Sequence, residues 1–302
     1  MAVNSKAIKS RIKSVGNTKK ITKAMEMISA VKMRKATENV LATRSYANLA
    51  WEMIADIGKK TDVDIHSLLK ARPIKKMAVV LITSNRGLAG GFINKLLQEV
   101  DSYIKKEKEL NESLEVDIVL MGKKGKRIFG YYKYNIEAEF EKLDLTTKIE
   151  EVLPMARMVV GDFINNKYDK VVLSYTDFQS AVKQSPKIKQ LLPLAKTDDK
   201  ELGSVDKVEI EKNNDTHVDF TFEPDPKKVL NTLLPKLVEM QVYQAVLESD
   251  ASEHSARMLA MRNASDSATD MIKELNLTYN KARQAAITQE ISEIVSGAAA
   301  LE

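Results

Sequence analysis

The last quarter of the chain carries its most regular hydrophobic pattern. Between Pro235 and Gly297 there is neither a proline nor a glycine, the residues that most often interrupt a helix. Apolar residues occupy most of the positions that follow one another at alternating spacings of three and four, which together make a seven-residue repeat. One set of positions comprises Leu230, Leu237, Gln244, Ala251, Met258, Ser265, Ile272, Tyr279 and Ala286, and the other comprises Leu233, Met240, Leu247, His254, Met261, Ala268, Leu275 and Ala282. A repeat held this long predicts a helix in a left-handed coiled coil with a partner helix.

The beginning of the chain offers that partner. From Val3 to about Ile57 it contains Gly16 as its only glycine and no proline. Apolar residues step along this segment by three and four with one skip, and they are Ile8, Ile12, Val15, Ile21, Ala24, Met25, Ile28 and Val31. This spacing predicts an apolar stripe on a helix that packs against the C-terminal helix.

The middle of the chain has a different pattern. Continuous apolar runs of strand length occupy residues 77–83, 116–121 and 170–175, and helical patterns occupy residues 93–104 and 146–166. This alternation predicts a Rossmann-like α/β domain with a mainly parallel sheet. Residues 176–194 are interpreted as a hairpin or arm, 196–215 as a loop and 217–222 as a closing strand. The expected domains are an N-terminal coiled-coil helix over 1–58, the α/β domain over 74–222 and a C-terminal coiled-coil helix over 225–302.

Composition excludes several kinds of site. The chain has no cysteine, which rules out disulfides, zinc-thiolate centres, iron-sulfur clusters and thiol catalysis in it. His66, His217 and His254 are far apart in sequence, and none has a companion at metal-ligand spacing. No carboxylate pair or Ser/His/Asp arrangement stands out, so we expect no catalytic residue, no metal and no cofactor. No window approaches eighteen continuous apolar residues, so we expect no direct membrane insertion.

The charge is distributed unevenly. Residues 1–35 contain ten lysines and arginines against one acid, Glu26, whereas the segment after Arg283 has three acids and no basic residue. A solvated helix face and a surface for an acidic partner explain the basic run about equally well. No aromatic residue interleaves the basic ones before Tyr46, which disfavours binding of nucleic acid. A basic coiled-coil scaffold remains the alternative.

Two glycine-containing turns follow the predicted strands. Gly87, Gly90 and Gly91 come after the first strand, but their spacing is not G-x-G-x-x-G and no G-K-[ST] follows. A tight turn between strand and helix explains them as well as a phosphate site does. The basic segment 122–127, GKKGKR, also follows a strand and could hold an anion. A nucleotide-binding α/β protein therefore remains a second alternative.

The most specific motif is ITQEISEIVSGAAA, residues 287–300. It matches the pattern I-T-x-E-x-x-E-[IV]-x-x-G-A-x-A of the ATP synthase gamma subunits, which the chain resembles over nearly its whole length. Four further segments resemble that family in the same order, and they are residues 17–36, 84–92, 222–266 and 277–284.

The resemblance implies a non-catalytic rotor subunit. In this family the terminal helices form an antiparallel coiled coil inside a ring of alpha and beta subunits, and the α/β domain lies beside the epsilon subunit and the membrane c-ring. Proton or sodium flow through that ring turns the central stalk and drives ATP synthesis in the alpha/beta head. The resemblance further implies peripheral attachment at the cytoplasmic face of the bacterial inner (plasma) membrane, and no nucleic-acid partner.

The resemblance also implies contact residues for the alpha/beta head. Arg283 and Gln284 match residues that engage a loop of the beta subunit, and Thr288 and Glu290 match neighbours that affect coupling. Met25 is expected to face that region from the N-terminal helix, with Arg257 as its partner across the coil. An alternative remains open for Arg283 and Glu290, because residues seven apart share a helical face and could simply keep it soluble.

Overall fold

The computed structural model describes residues 5–60, 66–129, 132–142, 147–194 and 226–299. In chain order the elements are α1 (Ser5–Lys60), β1 (Lys76–Ile82), α2 (Phe92–Leu110), β2 (Glu115–Met121), α3 (Lys123–Phe129), β3 (Asn135–Phe140), α4 (Ile149–Ile164), β4 (Lys170–Phe178), β5 (Gln184–Leu192) and α5 (Pro226–Ala299). The loop predicted at 196–215 and the strand predicted at 217–222 lie outside the described residues.

The five strands form one sheet in the order β3-β2-β1-β4-β5. β1 pairs in parallel with β2 and β4, and β2 pairs in parallel with β3, whereas β5 returns antiparallel to β4. This arrangement confirms the mainly parallel α/β sheet, and β4 with β5 is the hairpin predicted at 176–194. β3 and α3 were not predicted, because β3 is a half-exposed edge strand and α3 is a short, basic, glycine-containing helix.

Two apolar layers cover the faces of the sheet. On one face, residues of β1, β2 and β4 pack with α4 and with α5, and Phe163, Tyr168 and Val242 are buried there. On the other face, Leu96, Leu97 and their neighbours on α2 cover the strands. The continuous apolar runs of the strands are thereby explained, since a strand covered on both faces has no solvent side.

The chain divides into two compact units. One contains Met1–Ser29 with Arg257–Glu302, and the other contains Ala30–Ala256. In the second unit Thr43 on α1 donates a hydrogen bond to Gln244 Oε1 on α5 at 2.6 Å, and Ala36 and Val40 of α1 share a buried cluster with α5. The start of α1 groups with the end of α5, so the two helices run antiparallel, and the predicted pairing is confirmed.

The seven-residue repeat of α5 is visible in its burial. From 258 to 282 every position of the two predicted sets is buried or half-buried, and Met261, Ser265 and Ala268 are the most enclosed of them. Between these positions most side chains are exposed. Between 241 and 255 the helix is buried almost all round, since it lies among the sheet, the β4–β5 hairpin and α1.

The predicted stripe on α1 is partly wrong. Ile8, Ile12 and Val15 do lie on its buried face, but that face continues through Lys19, Thr22, Glu26 and Ser29 to Met33 and Ala36. The apolar residues Ile21, Ala24, Ile28 and Val31 are exposed instead. The three-and-four spacing of the buried face continues without the skip, through polar as well as apolar residues.

Candidate functional site

The carboxyl edge of the parallel sheet is where an α/β fold of this kind usually binds ligands. In the observed strand order the chain moves from β1 to β2 on one side and later to β4 on the other, so a crevice is expected between the ends of β1 and β4. α5 occupies that edge, because Ser252 on α5 donates a hydrogen bond to the backbone oxygen of Thr176 at 3.1 Å. The usual ligand crevice is filled by the protein's own helix.

A buried ionic group also lies at this carboxyl edge of the sheet. The amino group of Lys142, which follows β3, lies 2.6 Å from Asp250 Oδ1 and 3.0 Å from Glu253 Oε2, both on α5. The same amino group donates to the backbone oxygen of Thr83, just beyond β1, at 3.2 Å. We call Lys142, Asp250 and Glu253 the Lys142 cluster. The side chain of Lys142 is 3% exposed, so this charge is held away from water.

The cluster keeps Lys142 charged. Burial by itself would lower the pKa of Lys142, but the carboxylates of Asp250 and Glu253 reverse that effect and raise it. The pKa of Asp250 is raised by its own burial and by the neighbouring Glu253, with Lys142 and the hydroxyl of Thr147 opposing the rise. Thr147 donates to Asp250 Oδ2 at 2.6 Å, so the carboxylate is well provided with donors.

The glycines near this edge serve close packing. A Cβ on Gly122 would lie 2.8 Å from the backbone oxygen of Thr83, and a Cβ on Gly125 would lie 2.5 Å from Leu120 Cδ1. Thr83 Oγ1 lies 3.0 Å from the backbone oxygens of both Met121 and Gly122, which share its one hydroxyl hydrogen as acceptors. The space beside GKKGKR is therefore taken by Thr83 and Leu120, which favours the structural interpretation of these glycines over an anion cradle.

The second candidate surface is the final part of α5. From Arg283 to Gly297 every side chain is exposed, including a large apolar set, namely Ile287, Ile291, Ile294 and Val295. These residues are spaced four, seven and eight after the first, so they share one helical face. Exposed fractions between 47% for Ile287 and 72% for Ile294 make this an uncovered apolar stripe, which we call the α5 stripe. Such a stripe is typical of a surface that binds another protein.

The resemblance-derived contact residues have distinct environments. Arg283, Gln284, Thr288 and Glu290 are exposed on α5 beside the α5 stripe, where a partner can reach them. Met25 is half-buried on α1, and Arg257 is buried, 7% exposed, at the start of the coiled-coil part of α5. Contacts of the exposed residues with another subunit, and the pairing of Met25 with Arg257, stay predictions.

Little in the sequence indicates the Lys142 cluster. Asp250 and Glu253 occupy neither set of the seven-residue repeat, and Lys142 stands in the polar stretch EKLD. The available signal was the density of polar residues in 248–255 of a helix expected to be apolar around its seam. Among the described residues no group of acids and histidines is placed to hold a metal ion, and no described helix has the length and apolarity to cross a membrane.

Comparisons with known proteins agree over the whole chain. The family model described as ATP synthase matches residues 4–301. The ATP synthase gamma chain of Chloroflexus aurantiacus is 42% identical over 301 residues, covering 99% of both chains. That of Legionella pneumophila (strain Corby) is 40% identical over 298 residues, covering 98% of this chain and 99% of the relative.

Solved structures share the fold. A chain of the mitochondrial ATP synthase of Euglena gracilis, solved with OSCP, F1 and c-ring, matches with a TM-score of 0.63 at 18% identity, covering 98% of this chain and 94% of that one. A chain of the central stalk and c-ring structure of Tetrahymena thermophila matches with a TM-score of 0.59 at 24% identity, covering 81% and 99%. These two structures are less than 25% identical to this chain and show the fold alone. The family model over residues 4–301 and the relatives at 40–42% identity show that the chain belongs to the family of ATP synthase gamma chains.

Proposed function

We propose that this chain is the gamma subunit of an ATP synthase and serves as its rotating central stalk. The observation that carries the proposal, beyond family membership, is the α5 stripe with the exposed Arg283 and Gln284 beside it. A helix that ends in an uncovered apolar face requires a partner that covers it. Alpha and beta subunits around the paired helices would provide that cover, with the epsilon subunit and the c-ring as the other partners.

The subunit itself is proposed to be non-catalytic. The crevice where an α/β fold usually binds a ligand is filled by α5 and the Lys142 cluster, and Gly122 and Gly125 are packed against Thr83. Its effect on catalysis would be indirect, because an asymmetric rod makes different contacts with equivalent sites around it. Only such differential contacts change the relative stability of the conformations at each site, and hence their nucleotide affinities.

The start of α1 and the end of α5, which belong to the same unit, differ in charge. The first 35 residues are strongly basic, whereas the part of α5 after Arg283 has no basic residue and carries only the acids Glu290 and Glu293, so few fixed ion pairs made by this part of α5 would resist turning. We place the chain at the cytoplasmic face of the bacterial inner membrane, attached through its partners, with protons or sodium as the coupling ion.

Arg283→Ala in the assembled ATP synthase tests the contact role. We expect assembly to be retained and ATP-driven ion pumping to fall relative to ATP hydrolysis, because an exposed cation beside the α5 stripe would no longer meet its partner. Gln289→Ala is the control, since Gln289 is exposed on the same helix but on the face opposite the α5 stripe. Equal pumping-to-hydrolysis ratios in both variants and the wild type would exclude the contact role.

Co-purification tests the wider proposal. The tagged chain should bring down alpha and beta subunits in a complex that hydrolyses ATP and rotates. Binding of a dinucleotide to the chain alone, or salt-dependent binding of DNA without those subunits, would instead support one of the two alternatives drawn from the sequence.

A further inference from the structure

The Lys142 cluster lies among apolar layers, and the contacts that it makes join α5 to the sheet edge. Lys142 bonds to Asp250 and Glu253 on the helix and to Thr83 at the end of β1. Thr147, on the segment before α4, bonds to Asp250 as well. Asn85 holds the segment from the other side, because its side-chain amide donates to the backbone oxygen of Lys142.

A gain in folding free energy does not explain well why a buried ionic group of this kind is present. A buried ion pair loses about as much in desolvation as it gains in attraction, and apolar residues of the same volume often serve a fold equally well. Apolar contacts, however, are not directional, so they specify the rotation of a helix and its position along its axis less precisely than hydrogen bonds do. Short hydrogen bonds from one ammonium to two carboxylates one turn apart accept only one position of the helix.

We propose that the Lys142 cluster fixes α5 against rotation and sliding on the sheet, so that torque passes between the α/β domain and the shaft helix without loss. This inference rests on the proposed rotor function and makes Lys142, Asp250 and Glu253 positioning residues for coupling. A load along or around α5 would be borne first by these directional bonds.

The test removes the charges and keeps the volume. The triple variant Lys142→Met, Asp250→Asn, Glu253→Gln is introduced into the complete ATP synthase. A matched control neutralises Lys167, whose amino group lies 2.8 Å from Glu137 and 3.0 Å from Asp162. That control, Lys167→Met with Glu137→Gln and Asp162→Asn, removes one cation and two acids that tie β3 to α4 and do not involve α5.

Two measurements separate positioning from folding. We expect unloaded ATP hydrolysis to stay at the wild-type rate while the ratio of ATP synthesis to hydrolysis falls in the test variant alone. Amide hydrogen exchange over residues 246–256 in the assembled complex should rise about tenfold or more, the factor expected from loss of one hydrogen bond to a charged group. The control should change neither quantity.

A wild-type ratio in the triple variant, or an equal fall in the control, would overturn the inference. If the triple variant does not assemble, Asp250→Asn and Glu253→Gln are measured singly, since each leaves Lys142 one carboxylate. Smaller falls in both would support the inference, and wild-type coupling in both would refute it. A wild-type chain that neither co-purifies nor couples would refute the proposed function itself, independently of the cluster.

Discussion

Gly122→Ala is the most discriminating single change at the carboxyl edge of the sheet. Gly122 directly follows β2 with a φ of 101°, a conformation that residues with a side chain rarely adopt, and its N–H donates to the backbone oxygen of Phe140 at 3.1 Å. A Cβ would lie 2.8 Å from the backbone oxygen of Thr83 and 2.9 Å from its carbonyl carbon. The obstacle is backbone, so no rotamer change relieves it.

The cost can be worked from these two features. A non-glycine residue held in so rare a conformation costs about 1–3 kcal/mol. Overpacking by one methyl costs about 1–3 kcal/mol more, because Thr83 is fixed by hydrogen bonds to Met121 and cannot move aside. We therefore expect Gly122→Ala to lower the free energy of unfolding by about 2–6 kcal/mol.

Urea unfolding of the chain, followed by circular dichroism, measures this loss. Gly161→Ala is the matched control, because Gly161 lies inside α4 with no atom within 4 Å of its Cβ position, and alanine there should stabilise by about 0.5–1 kcal/mol. ATP should not alter the difference, since Thr83 occupies the space that a phosphate would need. Two variants within about 1 kcal/mol of each other would refute the packing argument, because its minimum predicted gap exceeds that value.

Two further changes test the corrected seam of α1 and the pH dependence. Ser29→Leu should lower the free energy of unfolding by about 1–3 kcal/mol, because Ser29 is only 3% exposed. Ile28→Ser, at an exposed position, should change it by less than about 0.5 kcal/mol. A larger loss from Ile28→Ser than from Ser29→Leu would support the apolar stripe predicted from the sequence. Burial lowers the pKa of His66 from its ordinary 6.5, although a hydrogen bond with Asn231 opposes the shift. The folded state therefore favours the neutral imidazole, and the resulting contribution to the free energy of unfolding is fully present above pH 6.5. The stabilisation is lost as the pH falls through the lowered pKa. His66→Asn keeps an acceptor for the N–H of Leu68 and should make the free energy of unfolding depend less on pH between pH 8 and 5. An unchanged slope would contradict the assignment to His66.

The sequence was sufficient where periodicity had a single physical cause. The strands at 77–83, 116–121 and 170–175 were predicted because a strand covered on both faces must be apolar throughout. The helix α5 was predicted because its repeat persists from 230 to 286 without proline or glycine except Pro235. In both cases one environment acts on every residue of the segment.

The sequence was insufficient where two environments meet on one helix. On α1 the apolar residues Ile21 and Ile28 imitate a seam, yet the seam runs through Thr22 and Ser29. The Lys142 cluster was missed for a related reason, since its members are 108 and 111 positions apart (250 − 142 and 253 − 142) and only the fold brings them together. The hydrophobicity of a helix face does not by itself indicate which other element or subunit packs against that face.

The misplaced stripe on α1 is itself informative about function. In an isolated coiled coil the seam is apolar and the outer face is polar. Here part of the seam is polar, while Ile21, Ile28 and Val31 lie outward with more than half of their surface exposed, as do Ile291 and Ile294 on α5. Apolar residues that face outward at helical spacing on both helices are best explained by a surrounding partner, because exposing apolar surface to water is unfavourable. The ring of alpha and beta subunits in the proposed function is such a partner. The outward-facing apolar residues of α1, which the sequence pattern assigned to the seam with α5, are therefore what a helix pair enclosed by that ring requires.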